Sequence, residues 1–211
     1  MARIQSSINE TLPWMDQNNL NQSDSLIVIV DMIKGFVEAG NMADPKIAET
    51  IPAHLQLFKA LPLADHLYFV DAHLKDCQEF ASFPEHCLKG SQESEIVDAL
   101  KEDSLHSKII YKNSTNGFLA PDFIDHLDDY MRYNRFIITG CCSDICVLQF
   151  TLSLQTYIHE HDLKKQVYVV MDAIDTYHME GVHDAKRFNE VSYQLLSAAG
   201  VRFVKMKEGT K

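Results

Sequence analysis

Three side chains far apart in the chain, Asp31, Lys112 and Cys146, supply the parts of an acyl-transfer centre that needs no histidine. A cysteine attacks a carbonyl carbon as thiolate, which requires a base to take its proton and a cation to hold its charge. Asp31 offers the base and Lys112 the cation. Cys146 closes the run Gly140-Cys141-Cys142-Ser143-Asp144-Ile145, and Ser143 or Asp144 can cap a helix that begins there. Cys146 then falls in a first helical turn, where unbonded N–H groups and the helix dipole favour negative charge and lower the thiol pKa. Those N–H groups can also receive the oxyanion of a tetrahedral intermediate.

A second cluster lies in the stretches Asp71-Ala72-His73 through Glu79 and Phe83-Pro84-Glu85-His86-Cys87. Asp71 and His73 are two apart, so on extended chain they point to one side, and a loop can return Glu79 and His86 to the same centre. Mixed carboxylate and imidazole ligands suit one divalent metal ion, with zinc favoured and iron or manganese as alternatives. A zinc knot of Cys77 and Cys87 is the competing reading. Their spacing of ten residues and the lack of a Cys-x-x-Cys pair count against it.

Six short apolar, β-branched runs must position these groups: Leu26 to Val30, His66 to Val70, Lys108 to Tyr111, Arg135 to Thr139, Val167 to Met171 and Val201 to Val204. Helical spacing lies between them, as in Ile47, Ile51, Leu55 and Phe58 behind Asp44 as N-cap and Pro45 at the first turn, though Pro52 interrupts that pattern. Further helices run from Pro121 through Phe123, Leu127 and Tyr130, and through Val147, Phe150, Leu154 and Tyr157. The last spans about Glu180 to Ala199 and stops at Gly200. Strand alternating with helix predicts an α/β fold with a mostly parallel six-stranded sheet covered on both faces, a three-layer α/β/α sandwich. Ligands then bind outside the carboxyl ends of the strands, where Asp31, Asp71, Lys112 and the Gly140 to Cys146 turn all stand.

The 211 residues suit one domain, read as a polar N-terminal arm over 1–22 and a single folded domain over 23–211. Thirty acidic against nineteen basic residues give a charge of −11, the wrong sign for gathering nucleic acid or anionic lipid. Neither a signal core nor a membrane-length apolar stretch is present, which points to the cytoplasm. Five cysteines, two of them adjacent, read as reduced thiols. His159 and His161 read as helix-end groups, and His178 and His183 as capping or loop residues. Trp14 is either a cover for a partner surface or part of the core.

The chain resembles the isochorismatase-like cysteine hydrolases, and within them the nicotinamidases. Val30-Asp31-Met32 with Phe36 is similar to the family's first-strand motif, Tyr111-Lys112 to its lysine, and Gly140 to Val147 to its Gly-x-x-Thr-Asp-x-Cys-Val nucleophile signature. The resemblance implies catalytic roles for Asp31, Lys112 and Cys146, a cis peptide before Cys142, and an oxyanion hole from the amides of Cys142 and Cys146. Asp71, His73 and His86 match the nicotinamidase Asp-x-His and Phe-Pro-x-His segments. The third ligand is a histidine in many members, and Cys77 stands in its place here. Others use a glutamate seven residues before the final histidine, as Glu79 stands, so Glu79 is preferred and Cys77 held in reserve. Thr115 replaces the aromatic of the family's Lys-x-x-Tyr pattern, and Ser143 its threonine. The implied reaction is hydrolysis of nicotinamide to nicotinate and ammonia through a cysteine thioester, with the metal anchoring the pyridine nitrogen and Phe36 and Phe83 packing the ring. The alternatives are another amide or ureido substrate, or a metal-binding or interaction module that has lost catalysis. A small-molecule substrate is implied as partner, and because members often form homo-oligomers, pairing with a second copy stays open.

Overall fold

The computed structural model of the chain describes residues 12, 13, 15 and 22–206. Most of the expected arm, and Trp14, lie outside them. Strands β1 (Ser25–Val30), β2 (Asp65–Asp71), β3 (Lys108–Lys112), β4 (Arg135–Cys141), β5 (Gln166–Asp175) and β6 (Arg202–Val204) form one sheet in the order β3-β2-β1-β4-β5-β6. Every pairing is parallel. Each of the six predicted strands is present, within a few residues of its expected ends.

All six residues of β1 are buried, as a central strand covered on both faces requires. Its alternate residues feed two cores. Leu26, Val28 and Val30 join Phe69, Phe136, Ile138 and Phe150, whereas Ile27 and Ile29 join Leu57, Tyr68, Val70 and Leu100. The covering helices are α1 (Lys34–Val37), α2 (Ile51–Ala60), α3 (Asp98–Ser104), α4 (Pro121–Asp125), α5 (Leu127–Tyr130), α6 (Cys146–Glu160) and α7 (Ala185–Ala198). No helix among the described residues is long and apolar enough to cross a membrane.

The helix expected behind Asp44 divides in two. Asp44 caps a 3-10 segment at Pro45–Thr50 by accepting from the Lys46 amide, and α2 starts afresh at Ile51. Pro52 thereby falls in a first turn, where its missing N–H is harmless. The last helix begins at Ala185 rather than near Glu180, because Asp184 caps it by accepting from the Arg187 amide. It ends where expected: Gly200 has φ +87°, and the Val201 amide reaches back to the Leu196 carbonyl.

The chain reverses its direction of travel across the sheet between β1 and β4, the switch point at which open α/β sheets bind ligands. These strands meet closely there. A Cβ at Gly140 would lie 1.9 Å from the Val30 carbonyl oxygen, and φ at Gly140 is +111°. Only glycine meets both conditions.

Candidate active site

Asp31, Asp71 and Lys112 leave three adjacent strands at one level, Asp71 and Lys112 being register partners at the ends of β2 and β3. Asp31 follows β1 in the left-handed region, at φ 51°, an unfavourable conformation for a residue with a side chain. Its backbone is fixed from three sides: its amide donates to the Phe69 carbonyl at 3.0 Å, and its carbonyl accepts from the Ile33 amide at 2.8 Å and the Cys141 thiol at 3.1 Å. The Asp71 amide donates to Asp31 Oδ1 at 3.1 Å.

All three charged groups are buried. Lys112 Nζ lies 2.8 Å from Asp31 Oδ2, donates to Asp71 Oδ1 and to the Ser114 carbonyl at 3.2 Å, and stands 3.9 Å from Cys146 Sγ. Ligand atoms of Asp31, Asp71 and Cys146 all lie within 4.8 Å of one another. Burial by itself would lower the Lys112 pKa, but the two carboxylates outweigh it and hold it well above the ordinary value. Burial, reinforced by the Asp71 charge and opposed by Lys112, pushes the Asp31 carboxyl up to about 7.

Cys146 is the first residue of α6, as expected, but its electrostatics differ from the expectation. Burial and the charges of Asp31 and Asp71 outweigh Lys112 and hold the thiol well above its ordinary pKa. Burial thus opposes the thiolate at Cys146, beside an Asp31 carboxyl pushed up to about 7. The capping expectation is corrected too: Ile145 precedes the helix without a side-chain cap, because Ser143 and Asp144 are engaged elsewhere. The Cys141–Cys142 peptide is cis, as the resemblance implied. Neither the Cys142 nor the Cys146 amide makes a backbone hydrogen bond among the described residues, so both N–H groups are free to meet an oxyanion.

Donor atoms of Asp71, His73, Glu79 and His86 also converge within 4.8 Å of one another. Each is aimed by a second bond. Asp71 Oδ1 faces Lys112, leaving Oδ2 buried without a hydrogen-bond partner among the described residues and turned toward the two imidazoles. His73 has Cys77 Sγ 3.5 Å from Nδ1, and its Nε2 faces Asp71 Oδ2 at 3.5 Å and Glu79 Oε1 at 3.7 Å. His86 Nδ1 lies 2.7 Å from the Pro84 carbonyl, and Glu79 Oε2 accepts from the Thr115 amide at 2.8 Å. Buried, convergent donors of this type fit a divalent cation, with outer bonds that orient the ligands. The Asp71 and Glu79 charges raise His73 to about 9 against the effect of burial, a sign that the spot favours positive charge. Cys77 lies outside the donor set, with its thiol donating to the Asn113 carbonyl at 3.4 Å. Phe36 and Phe83 stand 5.5 and 6.4 Å from the His86 ring.

Sequence reading missed several supports. Phe80 packs its ring 5.3 Å from His73 and 5.6 Å from His86. Gln149 accepts from the Thr115 hydroxyl at 2.8 Å. Asn189 joins Ser143 to Asp175 Oδ1, and Ser192 donates to the Ser143 carbonyl at 2.6 Å. No motif marks these residues. Asn189 and Ser192 are brought to the Cys142 turn by α7, and Phe80 and Gln149 reach the site from the 78–81 segment and from α6.

Residues 25–193 match the Isochorismatase domain family. Over 148 residues the chain is 33% identical to Nicotinamidase 1 of Arabidopsis thaliana, a match covering 62% of this chain and 60% of that protein. The fold is shared with a pyrazinamidase of Pyrococcus horikoshii solved in complex with zinc, at TM-score 0.69 and 22% identity over 87% of this chain and 99% of that one. It is shared equally with an N-carbamoylsarcosine amidase from Thermoplasma acidophilum, at TM-score 0.65 and 18% identity over 89% and 98% of the two chains.

Proposed function

The chain belongs to the isochorismatase family, and on that premise we propose that it is a cysteine amidohydrolase converting nicotinamide to nicotinate and ammonia. The observation that carries the reading is the placement of Cys146 beside Asp31 and Lys112, adjoining the four convergent donors Asp71, His73, Glu79 and His86. The identity to a plant nicotinamidase supports the substrate class. All five cysteines are free, which suits a reducing cytoplasm.

Ionised Asp31 accepts the Cys146 proton as the sulfur attacks the carboxamide carbon. Lys112 balances the negative charge that Asp31 and Asp71 bring to the pocket. The amides of Cys142 and Cys146 receive the oxyanion. Protonated Asp31 then gives its proton to the departing nitrogen, the C–N bond breaks, and ammonia leaves a thioester on Cys146. In the second half Asp31 takes a proton from water as the oxygen attacks, the C–S bond breaks, and the sulfur regains its hydrogen. A divalent ion held by Asp71, His73, Glu79 and His86, zinc in the first instance, would supply a Lewis-acidic anchor for the pyridine nitrogen. Phe36 and Phe83, packed about His86, would wall the ring.

A second reading, hydrolysis of a different amide or ureido group, is favoured by one residue. Thr115 is tied to Glu79 and Gln149 and presents no ring where the family's Lys-x-x-Tyr pattern often has an aromatic. Ammonia release across a small panel of amides separates the two. Nicotinamide is expected to be the preferred substrate, and a strong preference for a non-pyridine amide would overturn the choice. Loss of catalysis is disfavoured because Asp31, Lys112 and Cys146 are all present and in contact range.

A further inference from the structure

We propose that His183 and Asp144 form a clamp that sets the Cys142 and Cys146 amides for acyl transfer, an inference that rests on the acyl-transfer reading but not on the identity of the amide. His183 is a positioning residue in this scheme, since it acts through the turn and touches no reacting atom.

Asp144 stands midway between the two amides. It carries a buried carboxylate whose Oδ2 lies 2.9 Å from His183 Nε2. Its other oxygen, Oδ1, is buried without a hydrogen-bond partner among the described residues, so the imidazole provides the bond this carboxylate has. The ring is itself fixed on every side. Nδ1 lies 2.8 Å from the Tyr177 carbonyl, and the faces stack between Tyr177 and Phe188 at 4.0 Å on each side, with interplanar angles of 14° and 11°. A histidine read from sequence as a capping or loop residue is thus immobilised in the segment between β5 and α7 and aimed at the nucleophile turn.

The turn needs such a hold. Ser143 is already anchored: its amide donates to the Asp175 carbonyl at 2.9 Å, its hydroxyl to Asn189, and its carbonyl accepts from Ser192. Beyond Asp144, Ile145 has φ −120° and ψ −91°, neither helical nor extended, and this ψ sets the direction in which the Cys146 N–H points. The Ile145 and Val147 amides both return to the Cys142 carbonyl at 3.1 Å, leaving the Cys146 N–H as the free one between them. With Ser143 fixed on one side and α6 on the other, Asp144 is the remaining joint. A carboxylate deprived of its buried partner would turn toward water and carry the peptide planes with it. Oxyanion stabilisation depends on donors already in place, and loss of one lowers acyl transfer by roughly 10²–10³-fold.

Two reagents that react at Cys146 separate this role from general loosening. Acylation by p-nitrophenyl acetate passes through an oxyanion, whereas alkylation by iodoacetamide does not, and neither requires recognition of a pyridine. In His183→Phe, which keeps the stacking and removes both ring nitrogens, acylation is expected to fall about tenfold or more while alkylation stays within about twofold. Asp144→Ala should show the same split, and Asp144→Asn, which can still accept a hydrogen bond, should restore most of the acylation rate. Equal loss of both rates, or loss of neither, in the Asp144→Ala and Asp144→Asn pair overturns the clamp, and this pair decides if His183→Phe does not fold. Failure of the unmodified protein to hydrolyse nicotinamide leaves this ratio measurable, so the two proposals fail separately.

Discussion

Asp71 joins the two halves of the site through Lys112: its Oδ1 accepts from the lysine ammonium while its Oδ2 faces His73 Nε2 at 3.5 Å and His86 Nε2 at 4.0 Å. One carboxylate therefore belongs both to the charge balance around Cys146 and to the convergent donor set.

Cys146→Ala removes the proposed nucleophile and little else, since the residue is small and sits at a helix start. Ammonia release from nicotinamide should drop on the order of 10³-fold or more with the thermal transition almost unchanged. Retention of full turnover refutes the nucleophile assignment.

The pH profile follows from Asp31. With its carboxyl pushed up to about 7 by burial and by Asp71, the base form is lost on acidification, so kcat/KM should rise from pH 5 with its midpoint near 7 and level off only above about pH 8. The stability contribution has the opposite sign. The folded pKa lies above the unfolded one, so the native state holds a proton that the unfolded chain has released. Stability from this group is full below the unfolded value near 4 and declines as pH rises through about 7. A flat kcat/KM from pH 5 to 8 contradicts the assignment.

Lys112→Met leaves two buried carboxylates without their cation. Loss of one partner from a buried ionic group costs on the order of 3–5 kcal/mol, which urea unfolding at pH 8 would register along with loss of activity. A variant as stable as the parent would show that Lys112 does not balance these charges.

Glu79 and Cys77 compete for one role, and the geometry separates them. Glu79→Ala should weaken zinc binding at least about tenfold, measured by titration against a chelator, whereas Cys77→Ser should retain stoichiometric metal. The reverse order would make Cys77 the ligand.

Gly140→Ala places a Cβ 1.9 Å from the Val30 carbonyl in a backbone conformation that alanine rarely adopts. The substitution should destabilise the fold by roughly 3 kcal/mol or more, or prevent soluble expression. A normal melting temperature would mean that β1 and β4 can separate without consequence.

Local chemistry made much of this legible in the amino-acid order. Apolar β-branched runs located all six strands, most sharply the central ones, because a parallel strand buried on both faces must be apolar throughout. Alternation with helices then placed Asp31, Asp71 and Lys112 at one edge, since parallel strands end on the same side. Pairwise distances and burial were not legible there. The raised pKa of Cys146, that of Asp31 and the exclusion of Cys77 from the donor set depend on how deeply the groups sit and which charges face them, and these are properties of assembled strands. The same holds for Asn189, Ser192 and His183. Their residue types are ordinary for a helix and its approach, and they acquire meaning only because α7 packs against a turn some forty residues earlier. A chain's order fixes which backbone segments can pair, but hydrogen-bond partners across such separations are selected by packing, and only the folded molecule reveals that selection.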